Sequence, residues 1–109
     1  MDSGIYARVR LAAIELATGK EPPGKRLVSA FAQRLLVLRP TDFPDELQED
    51  FALIRRDLTA CPPNQSVDCL NAIVQAMDET QIEEYIKKIV DLYGRASACY
   101  FTELCAYPD

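Results

Sequence analysis

Apolar residues return every three or four positions through almost the whole chain, and prolines cut that pattern into segments. No other feature constrains the fold as much. A three-to-four repeat lines one face of an α-helix. Proline ends such a segment, because it lacks the N–H and its ring crowds the carbonyl one turn back. No stretch alternates apolar and polar residues over strand length, and no Asn-Gly or Asp-Gly hairpin turn occurs. The chain therefore reads as all-α, a compact antiparallel bundle of about five helices. Its 109 residues suit one domain, so 1–109 is expected to form a single helical domain.

The first helix is expected over Ser3–Thr18, with Ser3 as N-cap and Ile5, Val9, Ala12 and Leu16 on one face. Gly19 suits the left-handed position after a helix end. The Pro22-Pro23 pair then forces a turn. A second helix is expected from Lys25 to Leu38, where Leu27, Val28, Phe31, Leu35 and Leu38 make a stripe that Leu36 and Val37 widen. That breadth predicts a central helix. Pro40 ends it. The third helix opens on Pro44, Asp45 and Glu46 and buries Leu47, Phe51, Ile54 and Leu58, with Phe43 folding back on Leu47.

Ser66 is the expected N-cap of a short fourth helix carrying Val67, Leu70, Ile73, Val74 and Met77. Thr80 and Glu83 then have the spacing of a capping box for the fifth. There Ile82, Ile86, Ile89, Tyr93, Ala96 and Tyr100 repeat at heptad spacing. On its outer face Glu83–Lys87, Glu84–Lys88 and Asp91–Arg95 are acid-before-base pairs at i, i+4. Gly94 suggests a bend or a close helix crossing. The short link near Glu79 predicts that the fourth and fifth helices are antiparallel neighbours.

Composition removes whole classes of chemistry. Histidine is absent and glycine numbers only 4. That excludes a His-ligated metal, a Ser-His or Cys-His nucleophile and a glycine-rich phosphate loop. The carboxylates around Asp45 have neither the glycine of a Ca²⁺ loop nor the Glu-x-x-His of a helical di-metal site. Neither a metal, nor a cofactor, nor catalysis is expected. The cysteines at 61, 69, 99 and 105 stand in C-x7-C and C-x5-C, which match no zinc-ribbon or zinc-finger pair. Structural thiols are expected, with Cys69 in the core; should a disulfide form, Cys61–Cys99 is the pair the hairpin would favour.

Charge is unevenly spread. Residues 1–39 carry seven Lys/Arg against three Asp/Glu, a net of +4, and the rest carry five against fourteen, a net of −9. Attraction between the two parts within one fold is the expected consequence. The overall charge of −5 disfavours nucleic acid and anionic membranes as ligands. No helix-turn-helix spacing accompanies the basic part. Arg8, Arg10 and Glu15 interrupt any signal-peptide core, and no aliphatic run approaches a membrane span, so a cytoplasmic location is expected. The preference for Arg over Lys and the small size are in keeping with a bacterial chain.

These exclusions leave binding of another protein. The expectation is a small interaction module: an adaptor, regulator or inhibitor, monomeric or homodimeric. Its candidate partner-binding residues are the acidic start of the third helix, Asp45, Glu46, Glu49 and Asp50, and the aromatic C-terminal run, Phe101, Leu104 and Tyr107. The alternative is an acidic nucleic-acid mimic, or an accessory protein of a nucleic-acid-processing system.

Overall fold

The computed structural model describes residues 1–60 and 66–105, without the side chains of 66–68 and 103–105. Five α-helices are present among these residues, and no strand: α1 (Ser3–Thr18), α2 (Pro23–Ala30), α3 (Asp45–Leu58), α4 (Ser66–Gln75) and α5 (Glu79–Cys105). A π-helical turn, Phe31–Leu35, continues α2, and a 3₁₀ turn, Pro40–Asp42, precedes α3. The all-α bundle is the expected fold class. α5 is its spine and contacts α1, α2 and α3.

The core sits where the stripes meet. Leu27, Phe31, Leu35, Leu47, Phe51, Leu58 and Ile89 have no exposed surface, and Leu16, Leu70 and Leu92 have almost none. Each such side chain contributes about 1.5–3 kcal/mol relative to an exposed position. Among the described residues no polar or charged residue is buried. Phe43 is buried too, and its ring stacks on Phe51 with centroids 4.4 Å apart.

Several local expectations are corrected. Asp2, not Ser3, caps α1, accepting from the backbone N–H of Gly4 at 2.7 Å and Ile5 at 3.3 Å. Gly19 is extended at φ −64°, not left-handed. Glycine is needed there because a Cβ would stand 2.6 Å from Arg26 Cδ and 2.8 Å from the Glu15 carbonyl oxygen. Arg26 crosses at that point and donates to the Leu16 carbonyl at 2.6 Å, satisfying an orphan acceptor of the last turn of α1.

The second helix starts earlier than expected, with Pro23 in its first turn, and does not run to Leu38 as an α-helix. At its end the Leu36 N–H reaches back five residues to the Phe31 carbonyl at 2.8 Å. The extra residue in that turn keeps Leu35 buried and turns Val37 out, 65% exposed. Val37 therefore does not widen the apolar stripe.

At the start of α5 the reciprocal cap uses Asp78 and Gln81 rather than Thr80 and Glu83. Gln81 N–H donates to Asp78 Oδ1 at 2.8 Å, and Asp78 N–H donates to Gln81 Oε1 at 3.0 Å. Among the described residues α4 packs on α2 and α3 and forms no comparable interface with α5, so the expected α4–α5 hairpin is not seen there. Without it the case for Cys61–Cys99 lapses. Cys99 forms no disulfide, whereas Cys69 is disulfide-bonded and not a core thiol. Cys61 lies outside the described residues. Gly94 is exposed, and a Cβ there would meet nothing within 4 Å, so it marks neither a crossing nor a contact.

A candidate functional site along the third and fifth helices

The α3 helix lies antiparallel to α5, and three side chains of α5 make polar contacts along their shared edge. Tyr85 donates its hydroxyl to Asp57 Oδ2 at 2.7 Å. Arg95 pairs with Asp50 and also donates to the Glu46 carbonyl at 3.3 Å. The Cys99 thiol donates to Glu46 Oε1 at 2.7 Å. Glu46, Asp50 and Asp57 are spaced by four and seven, so they share one face of α3 beside its apolar stripe. Tyr85, Arg95 and Cys99 occupy the matching flank of α5. Burial, then the hydrogen bond to Asp57, pushes the Tyr85 hydroxyl up to about 12.

Two clefts open along this seam and share Arg95. One, of about 440 Å³, lies between Pro44, Glu46 and Leu47 of the α3 start and Ala98, Cys99 and Thr102 of α5. The other, of about 210 Å³, has Leu53, Ile54 and Leu92 as its floor and Asp50, Lys88 and Asp91 at its rim. The two make a groove along the seam that the Arg95–Asp50 pair crosses, with side chains of both charges on its border and Leu53 as its exposed apolar residue.

The candidate residues divide within this frame. Glu46 and Asp50 are held in the seam by α5. Glu49 is exposed, as is Asp45, which accepts only from the neighbouring Gln48 at 3.2 Å. Phe101 is 52% exposed but stands on the other flank of α5. Two residues past Cys99, it is turned about 200° around the helix. There it meets the edge of Tyr6 of α1 at 5.8 Å and of Tyr100 at 5.4 Å, and Tyr6 stacks on Tyr100 at 4.4 Å. The Tyr6 hydroxyl is 3.0 Å from Ser97 Oγ. The acidic start of α3 and the aromatic run are therefore two surfaces, not one. Tyr107 and the side chain of Leu104 lie outside the described residues.

Arg95 and Cys99 were not among the candidates. Arg95 is expected to pair with Asp91 one turn away, yet it bonds across to α3. The other two i, i+4 ion pairs are likewise not made among the described residues, and Lys88 sits over the Tyr85 ring at 4.7 Å. A matching polar stripe on each of two amphipathic helices is the signal for such a seam, but it requires knowing that the helices are neighbours. The expected attraction between the basic and acidic parts takes no such form. The ion pairs between described side chains, Arg95–Asp50 and Arg56–Asp57, both lie in the acidic part.

Among the described residues no three His, Cys, Asp or Glu side chains converge as metal ligands. No described helix is long and apolar enough to cross a membrane. The chain matches no protein-family profile, no curated protein and no solved structure.

Proposed function

We propose that the protein is a small interaction module that acts by binding another protein, without catalysis of its own, and that the α3/α5 groove receives a basic segment of that partner. The observation that carries this reading is the groove itself: exposed Leu53 over the buried Leu47, Ile54 and Leu92, bordered by Glu46, Asp50 and Asp91 with Lys88 and Arg95 among them. Helix-in-groove recognition uses this combination, with apolar anchors supplying affinity and charges fixing orientation. Glu49 and Asp45 extend the acidic border into solvent, where they steer a cationic partner.

The test uses Asp45→Lys with Glu49→Lys, because neither residue serves the seam. The full chain is used to pull down companions from native lysate, read by mass spectrometry and by ultraviolet absorbance for nucleic acid. A stoichiometric protein retained by the wild type and lost by the variant at equal stability supports the reading. If that companion itself binds nucleic acid, the acidic border acts as a nucleic-acid mimic. Recovery of nucleic acid, or of the chain alone, overturns the proposal. Cytoplasmic action is part of it, and the disulfide at Cys69 bears on that point, since disulfides persist in oxidising compartments. Finding Cys69 oxidised in protein trapped from intact cells moves the site of action to such a compartment.

A further inference from the structure

The α1 helix is apolar on two faces. One is the core face of Val9, Ala12 and Leu16, fully or almost fully buried. The other points to solvent: Gly4, Ala7, Leu11, Ile14 and Thr18 follow at +3, +4, +3 and +4, and all five are exposed. Leu11 and Ile14 each keep 39% of their surface in water. Thr18 returns its hydroxyl to the Ile14 carbonyl at 2.8 Å, so its polar group is satisfied within the helix. A repeat at 3.5-residue spacing is the seam of a helix pair. Leu11 and Ile14 lie side by side on this ridge as two adjacent exposed apolar side chains.

The flanks of this ridge identify the occupant. On one side stand Arg8 and Glu15, on the other Arg10 and Ala17. Glu15 lies toward α2, where its Oε1 accepts from Ser29 Oγ at 2.5 Å. Arg10 lies beside Tyr93 of α5. Arg8 is exposed and has no ion-pair partner among the described residues. In an antiparallel helix pair each flank faces the same flank of the other helix. With Leu11 level with Ile14 of the other copy, Arg8 falls within about 3 Å along the axis of the other copy's Glu15. The contact occurs twice by symmetry, and the opposite flanks set Arg10 nearest Ala17, with the two Arg10 residues about 7.5 Å apart along the axis. The ridge is complementary to itself in charge, as an isologous interface requires.

We propose that the outer face of α1 pairs antiparallel with the same face of a second copy of this chain, with Leu11 and Ile14 at its centre and Arg8–Glu15 ion pairs at its borders. This surface is separate from the α3/α5 groove and does not depend on it.

Sedimentation of the full chain over a wide concentration range tests the proposal. A monomer–dimer equilibrium is expected. Leu11→Asp should abolish the dimer with helicity unchanged. Arg8→Glu alone and Glu15→Arg alone should each weaken it by about tenfold or more, and the two together should restore it. Ser29→Ala, which removes only the in-chain partner of Glu15, should leave the dimer intact. A chain that stays monomeric overturns the proposal, as does a dimer indifferent to Leu11→Asp, or a monomer bound to a different protein through this ridge. Weakening by Arg10→Glu but not by Arg8→Glu would mean a parallel pair and overturns it as well. Should Leu11→Asp fail to fold, the charge-swap pair decides alone.

Discussion

Replacing Gly94 with alanine should stabilise the protein by about 0.4–1 kcal/mol. Gly94 lies well inside the 27-residue α5, where glycine costs about 1 kcal/mol against alanine. Much of that cost arises in the unfolded chain, since glycine has more conformations to give up on folding. Substitution recovers it only where the added methyl fits, and a Cβ at Gly94 meets no atom within 4 Å. The full 1 kcal/mol corresponds to a rise in Tm of roughly 4 °C for a chain of this length. Urea denaturation followed by circular dichroism should show a higher midpoint at unchanged slope. Ala98→Gly, at an exposed position of the same helix, should cost a similar amount. An unchanged or lower midpoint for Gly94→Ala would refute the reasoning, because it would mean that glycine serves a contact at this face.

Other perturbations probe other parts of the fold. Phe51→Ala removes a fully buried ring together with its stack on Phe43 and should cost about 3–5 kcal/mol in the same denaturation assay. Gly19→Ala should displace the Arg26 side chain, lose its bond to the Leu16 carbonyl and press on the Glu15 carbonyl oxygen, lowering stability by about 1 kcal/mol or more, whereas a left-handed requirement would have made Gly19→Asn the milder change. The raised Tyr85 hydroxyl favours the fold while it stays protonated. Its contribution is whole below pH 10 and is lost as pH rises through about 12, so Tyr85→Phe should flatten the alkaline limb of the stability profile. Cys69→Ser should destabilise the oxidised protein by about 2–4 kcal/mol, and the reduced protein far less, in paired melts with and without reductant.

The helices and their buried faces are legible in the sequence because burial follows periodicity. Ile5 to Leu16, Leu47 to Leu58 and Ile82 to Tyr100 point inward as their spacing requires. Segment ends are less legible, because capping is a competition between near neighbours. Asp2 wins over Ser3 because its carboxylate reaches the N–H groups of both Gly4 and Ile5. Asp78 wins over Thr80 because Gln81 can answer it. The π turn leaves no periodic signature, since one residue of slack is invisible in a stripe already as wide as Leu35–Leu38. The site was half legible. Glu46 and Asp50 are marked by their acidity, but their engagement with Arg95 and Cys99 depends on which helices meet, and single-helix patterns carry no such information. Arg95 had a local partner in Asp91, and the tertiary one prevailed.

The position of α5 between two flanks has a consequence for avidity. Because α1 covers one side of this helix and the groove with α3 lies on the other, occupying one leaves the other open. Two chains joined along α1 would carry two grooves at a fixed separation. A partner with two basic segments could then bind the second from an effective concentration set by its own linker, tightening the complex by about 10²–10⁴ with no new contact, provided that linker spans both grooves.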